Sequence, residues 1–441
     1  MQPTVPCRDG RAVADPVRSV TDLARAGLHE DYVVYESGEE WIYAGGVACS
    51  VRLDGGSLET VGADGVRVSR PIRARTLNAL EAALGGLRLR SPWRAYGWVS
   101  FEFATCAHGR PVPRGARLAH LVVPRVEARL GPSSTEVTGD PQEVERVRAV
   151  LRSPSAGAPR PGGERVDITA GAQRYRERVR TALAEIRAGR YEKVILSRRI
   201  PLPGRVDFPG TYEIGRRANT PARSFLLKLA GLQCAGFSPE LVATVDGQGT
   251  VTTNPLAGTR AYGLGDGVDR AARAELVRDP KEVYEHAISV RTSLEEMRSV
   301  ARPESVVVAD FMNVAERGSV QHLASTVRGR LAPGRTRWDA LEAFFPAVTA
   351  SGIPKAEAVE AIDRLDDPRG LYAGAVVSVS SDGALDAALV LRAVFQDQAG
   401  AWLRAGAGIV DGSRPDRELE ETCEKLRSVL PNLVFDEDPT A

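Results

Sequence analysis

Four glutamates fall on two segments with helical spacing. In DPKEVYEHAISVRTSLEEM, Asp279 to Met297, the apolar stripe runs through Val283, Ala287, Val290, Leu294 and Met297. Glu282 and Glu285 lie one turn apart on one face, off that stripe. In RPDRELEETCEKLRSVL, Arg414 to Leu430, the stripe is Leu419, Cys423, Leu426 and Leu430, and Glu418, Glu421 and Lys425 share a neighbouring face. If the two helices face each other, these carboxylates can hold Mg²⁺, which takes a few carboxylates and keeps waters for an anionic ligand. Each residue also has a plainer reading. Glu282 stands where a capping box behind an Asp279 N-cap would put it. Glu285 reads as a solvated carboxylate, and Glu421 with Lys425 as an ordinary i,i+4 ion pair.

Two other residues have acid–base character. The chain has 58 basic residues, yet lysine occurs only at Lys193, Lys228, Lys281, Lys355 and Lys425. Lys193 stands at the mouth of the apolar run Val194-Ile195-Leu196 in EKVILSRR. Where arginine carries the ordinary charges, a lysine is retained for its ability to lose a proton, and a desolvated amine can act as a base. Glu240, in GFSPELVATV, is a loop or edge-strand carboxylate if exposed and an acid of raised pKa if buried. NPLAGTRAYG and LRAGAGIVDG read as glycine-containing turns that could offer backbone N–H groups to an anion, the second with a helix after it.

The elements that must position these residues are only partly legible. Helical spacing covers Thr76 to Leu87 and Tyr175 to Ala188. Strand-like runs are Tyr32 to Tyr35, Leu121 to Val123, Lys193 to Arg199, Ser224 to Leu229 and Ala235 to Val245. Strands with interspersed helices make α+β the expected class. SPSAGAPRPGGER, Ser153 to Arg165, reads as a long exposed loop or a linker. At 441 residues the chain fits two or three average domains or one large one. A net charge of +1 gives no basic field for nucleic acid. No apolar stretch approaches the roughly 20 residues that span a bilayer, and MQPTVPCRDGRAVADP lacks a signal-peptide core. Five cysteines without a CxxC pair argue against a disulfide framework or zinc site and fit a reducing cytoplasm.

Seven segments in order resemble the chorismate-utilising family, which comprises anthranilate synthase component I, isochorismate synthases and salicylate synthases. They are PLAGTR (Pro255 to Arg260), KEVYEHAISVR, ERGSVQHLASTVRGRL, FPAVTASGIPK (Phe345 to Lys355), PRGLYAGAV, LRAGAGIV and EETCEKL. KVILSR, RGSVQHL, PAVTASGIPK and EETCEKL are most similar to salicylate synthases of siderophore pathways. The resemblance implies one large α+β domain, two layered sheets forming the core with helices outside. Residues 1–165 would be its N-terminal part, weakly similar through YGWVSFEFA and ending in a surface loop, and residues 166–441 the chorismate-binding catalytic part.

The resemblance also implies roles. Lys193 would activate a water to attack C2 of chorismate, and Glu240 would protonate the departing C4 hydroxyl, giving isochorismate. Glu285 and Glu421 match Mg²⁺ ligands, with Glu282 and Glu418 close by through water. Tyr372 and Arg392 match residues that hold the enolpyruvyl carboxylate. Gly258 and Thr259 match ring-side contacts, and Gly406 and Lys425 further anion contacts. His322 matches a site histidine, or is a hydrogen-bonded structural one. Salicylate synthases go on to expel pyruvate from the bound isochorismate; an isochorismate synthase that releases its product is the alternative. Lys193 disfavours an ammonia-using anthranilate-type enzyme, and Lys193, Glu240, Glu285 and Glu421 together disfavour a non-catalytic subunit. The implied partners are chorismate and Mg²⁺, with no nucleic acid, membrane or glutaminase subunit, in a cytoplasmic monomer. One departure is Asn254, which precedes PLAGTR where an acidic residue is expected.

Overall fold

A computed structural model describes residues 7–9, 13–72, 76–89, 91–112, 115–153, 159, 161, 166–318 and 320–436. Most of the Pro/Gly-rich stretch at 153–165 lies outside the described residues. Two antiparallel sheets, one of eleven strands and one of twelve, sandwich the main core. The strand Tyr32–Ser37 shows how the sequence builds this. Val33 and Tyr35 point into the core between the sheets, while Tyr32 and Val34 enter a second core under the outer helices. Covered on both faces, the run is continuously apolar. The second core takes Val20 and Leu23 from the helix Pro16–Arg25 and Tyr212 from the helix Phe208–Ala218. Among the described residues no helix is long and apolar enough to cross a membrane.

Two places where the chain passes from one sheet to the other position the site. The strand expected over Ala235 to Val245 is in fact two. Leu232–Ser238 belongs to the eleven-stranded sheet and Leu241–Val245 to the twelve-stranded one. The break falls at Pro239-Glu240, where proline has no N–H for a ladder. The second crossing joins Leu385–Leu389 to Ala393–Asp397. Arg392 lies within it at φ 49°, a left-handed conformation uncommon outside glycine. The crossings are bonded to each other: the Leu389 N–H donates to the Glu240 carbonyl (3.1 Å), and the Phe237 N–H to the Arg392 carbonyl (3.2 Å).

The two glycine-rich segments are strands, which corrects their reading as turns. LRAGAGI lies within Gly400–Ile409, paired along Lys193–Pro201 with Gly406 opposite Ser197. NPLAGTRAYG contains the strand Leu256–Ala261, irregular between Ala257 and Arg260, with Gly258 at φ 68°. Glycine density imitates turn punctuation, but in Gly400–Ile409 its use is clearance. A Cβ on Gly406 would stand 3.1 Å from the Tyr372 hydroxyl, and one on Gly408 2.9 Å from Glu285 Oε1.

Candidate active site

One pocket gathers side chains from both sheets and from the helices Pro280–Val300 and Pro415–Arg427. Lys193 opens its strand and is 1% exposed. Its Nζ sits 2.7 Å from Glu285 Oε1, so the amine faces a carboxylate and not the purely apolar strand end expected. Glu240, carried into the pocket by the first crossing, is 3% exposed. Burial lifts its carboxyl to about 8, further than the Thr349 hydrogen bond and the Lys193 charge pull it down. The Thr349 Oγ1 lies 2.8 and 2.9 Å from the two carboxyl oxygens. Near neutral pH this is a protonated acid.

At one end of the pocket are carboxylates. The Asp279 side chain accepts the Lys281 and Glu282 N–H groups and so starts the helix Pro280–Val300. The Glu282 side chain turns instead to Arg260, 3.4 Å away, and lines the pocket; its capping-box reading is not realised. Burial, then the charge of Glu285, raises its pKa. Glu421 and Lys425 form the expected i,i+4 pair at 2.8 Å, and the pair faces the pocket. Burial works against the Glu421 charge, but the Lys425 pair overrides it and holds the carboxyl low. Glu418 lies behind this wall, 1% exposed, with the Ser413 hydroxyl nearby. Burial, then Glu421, raises its pKa.

This donor set fits a hard cation such as Mg²⁺. Glu418 supplies two buried carboxylate oxygens, and Gly258 and Gly408 leave space beside Glu282 and Glu285 that a Cβ would fill. Among the described residues no group of three His, Cys, Asp or Glu side chains could hold an ion by itself. An ion there would keep oxygens from water or ligand, as Mg²⁺ commonly does.

The pocket also holds a guanidinium. Arg392 bonds His322 Nε2 and the Arg317 carbonyl, the latter at 3.3 Å, and forms no ion pair with a described residue. Burial, then the nearby Arg317, lowers its pKa to about 10. His322 Nδ1 is 2.9 Å from the Gly258 carbonyl and 3.2 Å from Thr259 Oγ1. A carbonyl can only accept, so Nδ1 carries the proton and Nε2 accepts from the guanidinium. Burial, then Arg392, holds the imidazole pKa well below its usual value, which keeps it neutral. His322 is therefore hydrogen-bonded scaffolding and lines the pocket as well. Tyr372 is buried beside Gly406, and Lys425 donates to the Gly406 carbonyl at 2.9 Å. A guanidinium without a carboxylate, in one pocket with a tyrosine and a lysine, suits an anionic ligand.

All the sequence-selected residues except Glu418 line this one pocket. Asn254 does not; its amide donates to Thr326 Oγ1 at 2.9 Å. Sequence reasoning missed Thr349, Arg260 and Lys281. All three lay within quoted segments, but Thr349 and Arg260 act through partners distant in the chain. The signal for Lys281 was available, since three of the five lysines line the pocket.

Residues 30–431 match the family of chorismate binding enzymes. The chain is 49% identical over 435 residues to a salicylate synthase of Mycolicibacterium paratuberculosis, covering 95% of this chain and 94% of that one. It is 41% identical over 295 residues to an anthranilate synthase component 1 of Haloferax volcanii, covering 65% of this chain and 56% of the relative. The solved anthranilate synthase component I from Streptococcus pneumoniae superposes with a TM-score of 0.75 at 26% identity, covering 89% of this chain and 92% of that one. The menaquinone-specific isochorismate synthase from Escherichia coli shares the fold, with a TM-score of 0.72 at 19% identity over 97% of this chain and 94% of its own.

Proposed function

The chain belongs to the chorismate-binding enzyme family, and on that premise we propose that it is a salicylate synthase, converting chorismate through isochorismate to salicylate and pyruvate. The relative that is 49% identical over 95% of the chain is a salicylate synthase. The observation that carries the chemistry is a buried lysine and a buried, protonated glutamic acid on one pocket. Lys193, when not held by Glu285, takes a proton from the water that attacks C2. Glu240 gives its proton to the C4 hydroxyl, which leaves as water. One water enters and one leaves, so the ring becomes isochorismate. The C2 hydrogen then passes to the methylene carbon of the enolpyruvyl group as the C3–O bond breaks, leaving salicylate and pyruvate. Aromatisation drives this step, so the chain has mainly to hold the reactive conformer.

Arg392 and Tyr372 hold the enolpyruvyl carboxylate, the guanidinium by its fork, with His322 keeping it aimed. Gly258 and Thr259 lie beside the departing hydroxyl, and Gly406 and Lys425 complete the anion contacts. Glu285 and Glu421 would hold Mg²⁺, with Glu282 and Glu418 supporting through water. When bound, the ion supplies positive charge against the ring carboxylate. The protein works as a cytoplasmic monomer without a glutaminase subunit, and its product suits siderophores or other aryl-capped natural products. The test is a timed product assay with chorismate and Mg²⁺. Salicylate and pyruvate should appear in equal amounts, with isochorismate only transient, and chelation should stop turnover. Isochorismate accumulating without pyruvate would remove the lyase step, and unchanged chorismate would remove the whole reading.

A further inference from the structure

Each carboxylate of the cluster has one cation beside it. Lys193 is 2.7 Å from Glu285, Lys425 2.8 Å from Glu421, Arg260 3.4 Å from Glu282 and Lys281 3.6 Å from Glu418. The first three are anchored. Lys193 is enclosed, 1% exposed, and Lys425 is also bonded to the Gly406 carbonyl. Arg260 is bonded to Glu275, Asp279 and the Thr259 carbonyl besides. Lys281 differs. Its ammonium is beyond hydrogen-bond reach of Glu418, and among the described residues no other group bonds it. Its side chain is 34% exposed, whereas that of Glu418 is 1% exposed. A fully buried carboxylate thus depends on a loose cation at the edge of solvent.

We propose that Lys281 is a displaceable counter-cation, neutralising Glu418 while the cluster holds no metal and swinging into solvent when a divalent cation enters. The inference rests on the metal reading above. Each of the four carboxylates already has a cation within 4 Å, so an entering divalent ion crowds the cations that stand there. The charge most easily given up is the one with no hydrogen bond and the shortest way to water. Residue type agrees: lysine is a compact charge on a flexible, strongly hydrated stem, whereas the arginine fork would lock onto Glu418. Metal and Lys281 therefore compete, and the metal binds less tightly than four glutamates alone would allow.

The experiment is calorimetric titration of Mn²⁺ into the full chain without substrate, for wild type, Lys281→Met, Lys281→Arg and Glu285→Gln. Lys281→Met should lower the dissociation constant by about threefold to tenfold, the worth of a half-exposed ion pair, and Lys281→Arg should raise it. Heated in chelator, Lys281→Met should melt below wild type, and saturating Mn²⁺ should close that gap. Equal affinity in wild type and both Lys281 variants, or the reverse order, overturns the Lys281 proposal and leaves the metal reading intact. If wild type binds no Mn²⁺ and Glu285→Gln changes nothing, the metal reading falls and the proposal with it.

Discussion

Replacing Glu240 with glutamine removes the proposed proton donor with almost no change in volume. Burial raises this carboxyl from 4.5 to about 8 against the pull of Thr349 and Lys193. The unfolded chain exposes the same group to water. Between those two pH values the folded protein keeps a proton that the unfolded chain releases. The stability this group contributes is therefore full below about pH 4.5 and is lost as pH rises to about 8. At about 1.36 kcal/mol per pH unit the interval amounts to ~5 kcal/mol, an upper figure because a relaxing pocket admits water. The assay is urea unfolding of wild type and Glu240→Gln from about pH 5 to about pH 9. The unfolding free energy of wild type minus that of the variant should fall by about 2 kcal/mol or more over the range and flatten above about pH 8. Wild-type turnover should decline in the same upper limb, and the variant should form no isochorismate. A difference that stays level throughout would falsify this reasoning, because the carboxyl would then titrate as it does in water.

Three other outcomes follow from the same geometry. Lys193→Ala should lower the rate of isochorismate formation by about 10²–10⁴-fold, the usual loss for a positioned base, while circular dichroism stays native. Wild-type turnover by this variant would exclude Lys193. Arg392→Lys keeps the charge but loses the fork and the His322 bond, so KM for chorismate should rise about tenfold to a hundredfold, one charge-assisted hydrogen bond. Steady-state kinetics check this, and an unchanged KM would place the substrate carboxylate elsewhere. Thr349→Val removes a hydrogen bond that favours the ionised form of Glu240, so the alkaline limb of the pH–rate profile should move to higher pH. A shift to lower pH would contradict that assignment.

Part of this site is legible in the amino-acid sequence alone. Lys193 stands out because lysine is scarce in an arginine-rich chain, and helical spacing sets Glu282 beside Glu285 and Glu421 beside Lys425. Periodicity cannot say that the helices Pro280–Val300 and Pro415–Arg427 share one pocket, because that depends on how distant strands pair. Nor can it reveal the sheet change at Glu240. The residues on both sides of Pro239 are buried, since each strand is covered in its own sheet. Gly406 and Gly408 mislead for another reason. A glycine required by a neighbouring tyrosine or carboxylate looks, in one dimension, the same as a glycine required by a turn. Arg260 and Thr349 are silent because each works through a carboxylate far away in the chain.

The order of strands within the sheets bears on how this protein is made. Tyr32–Ser37 pairs with Arg223–Leu229, so an early strand waits for a partner roughly 190 residues later, roughly 10 s or more at the usual pace of translation. Until then its edge and its apolar faces are open to wrong partners, a burden typical of non-local β topologies. The helix Pro415–Arg427 emerges from the ribosome after every strand of both sheets. It brings Glu418, Glu421 and Lys425 with it. A nascent chain that stops short of this helix lacks Glu421 and Lys425 from the pocket wall and Glu418 from behind it. A nonsense codon just ahead of it would remove one wall of the pocket while leaving nearly the whole sandwich to be synthesised.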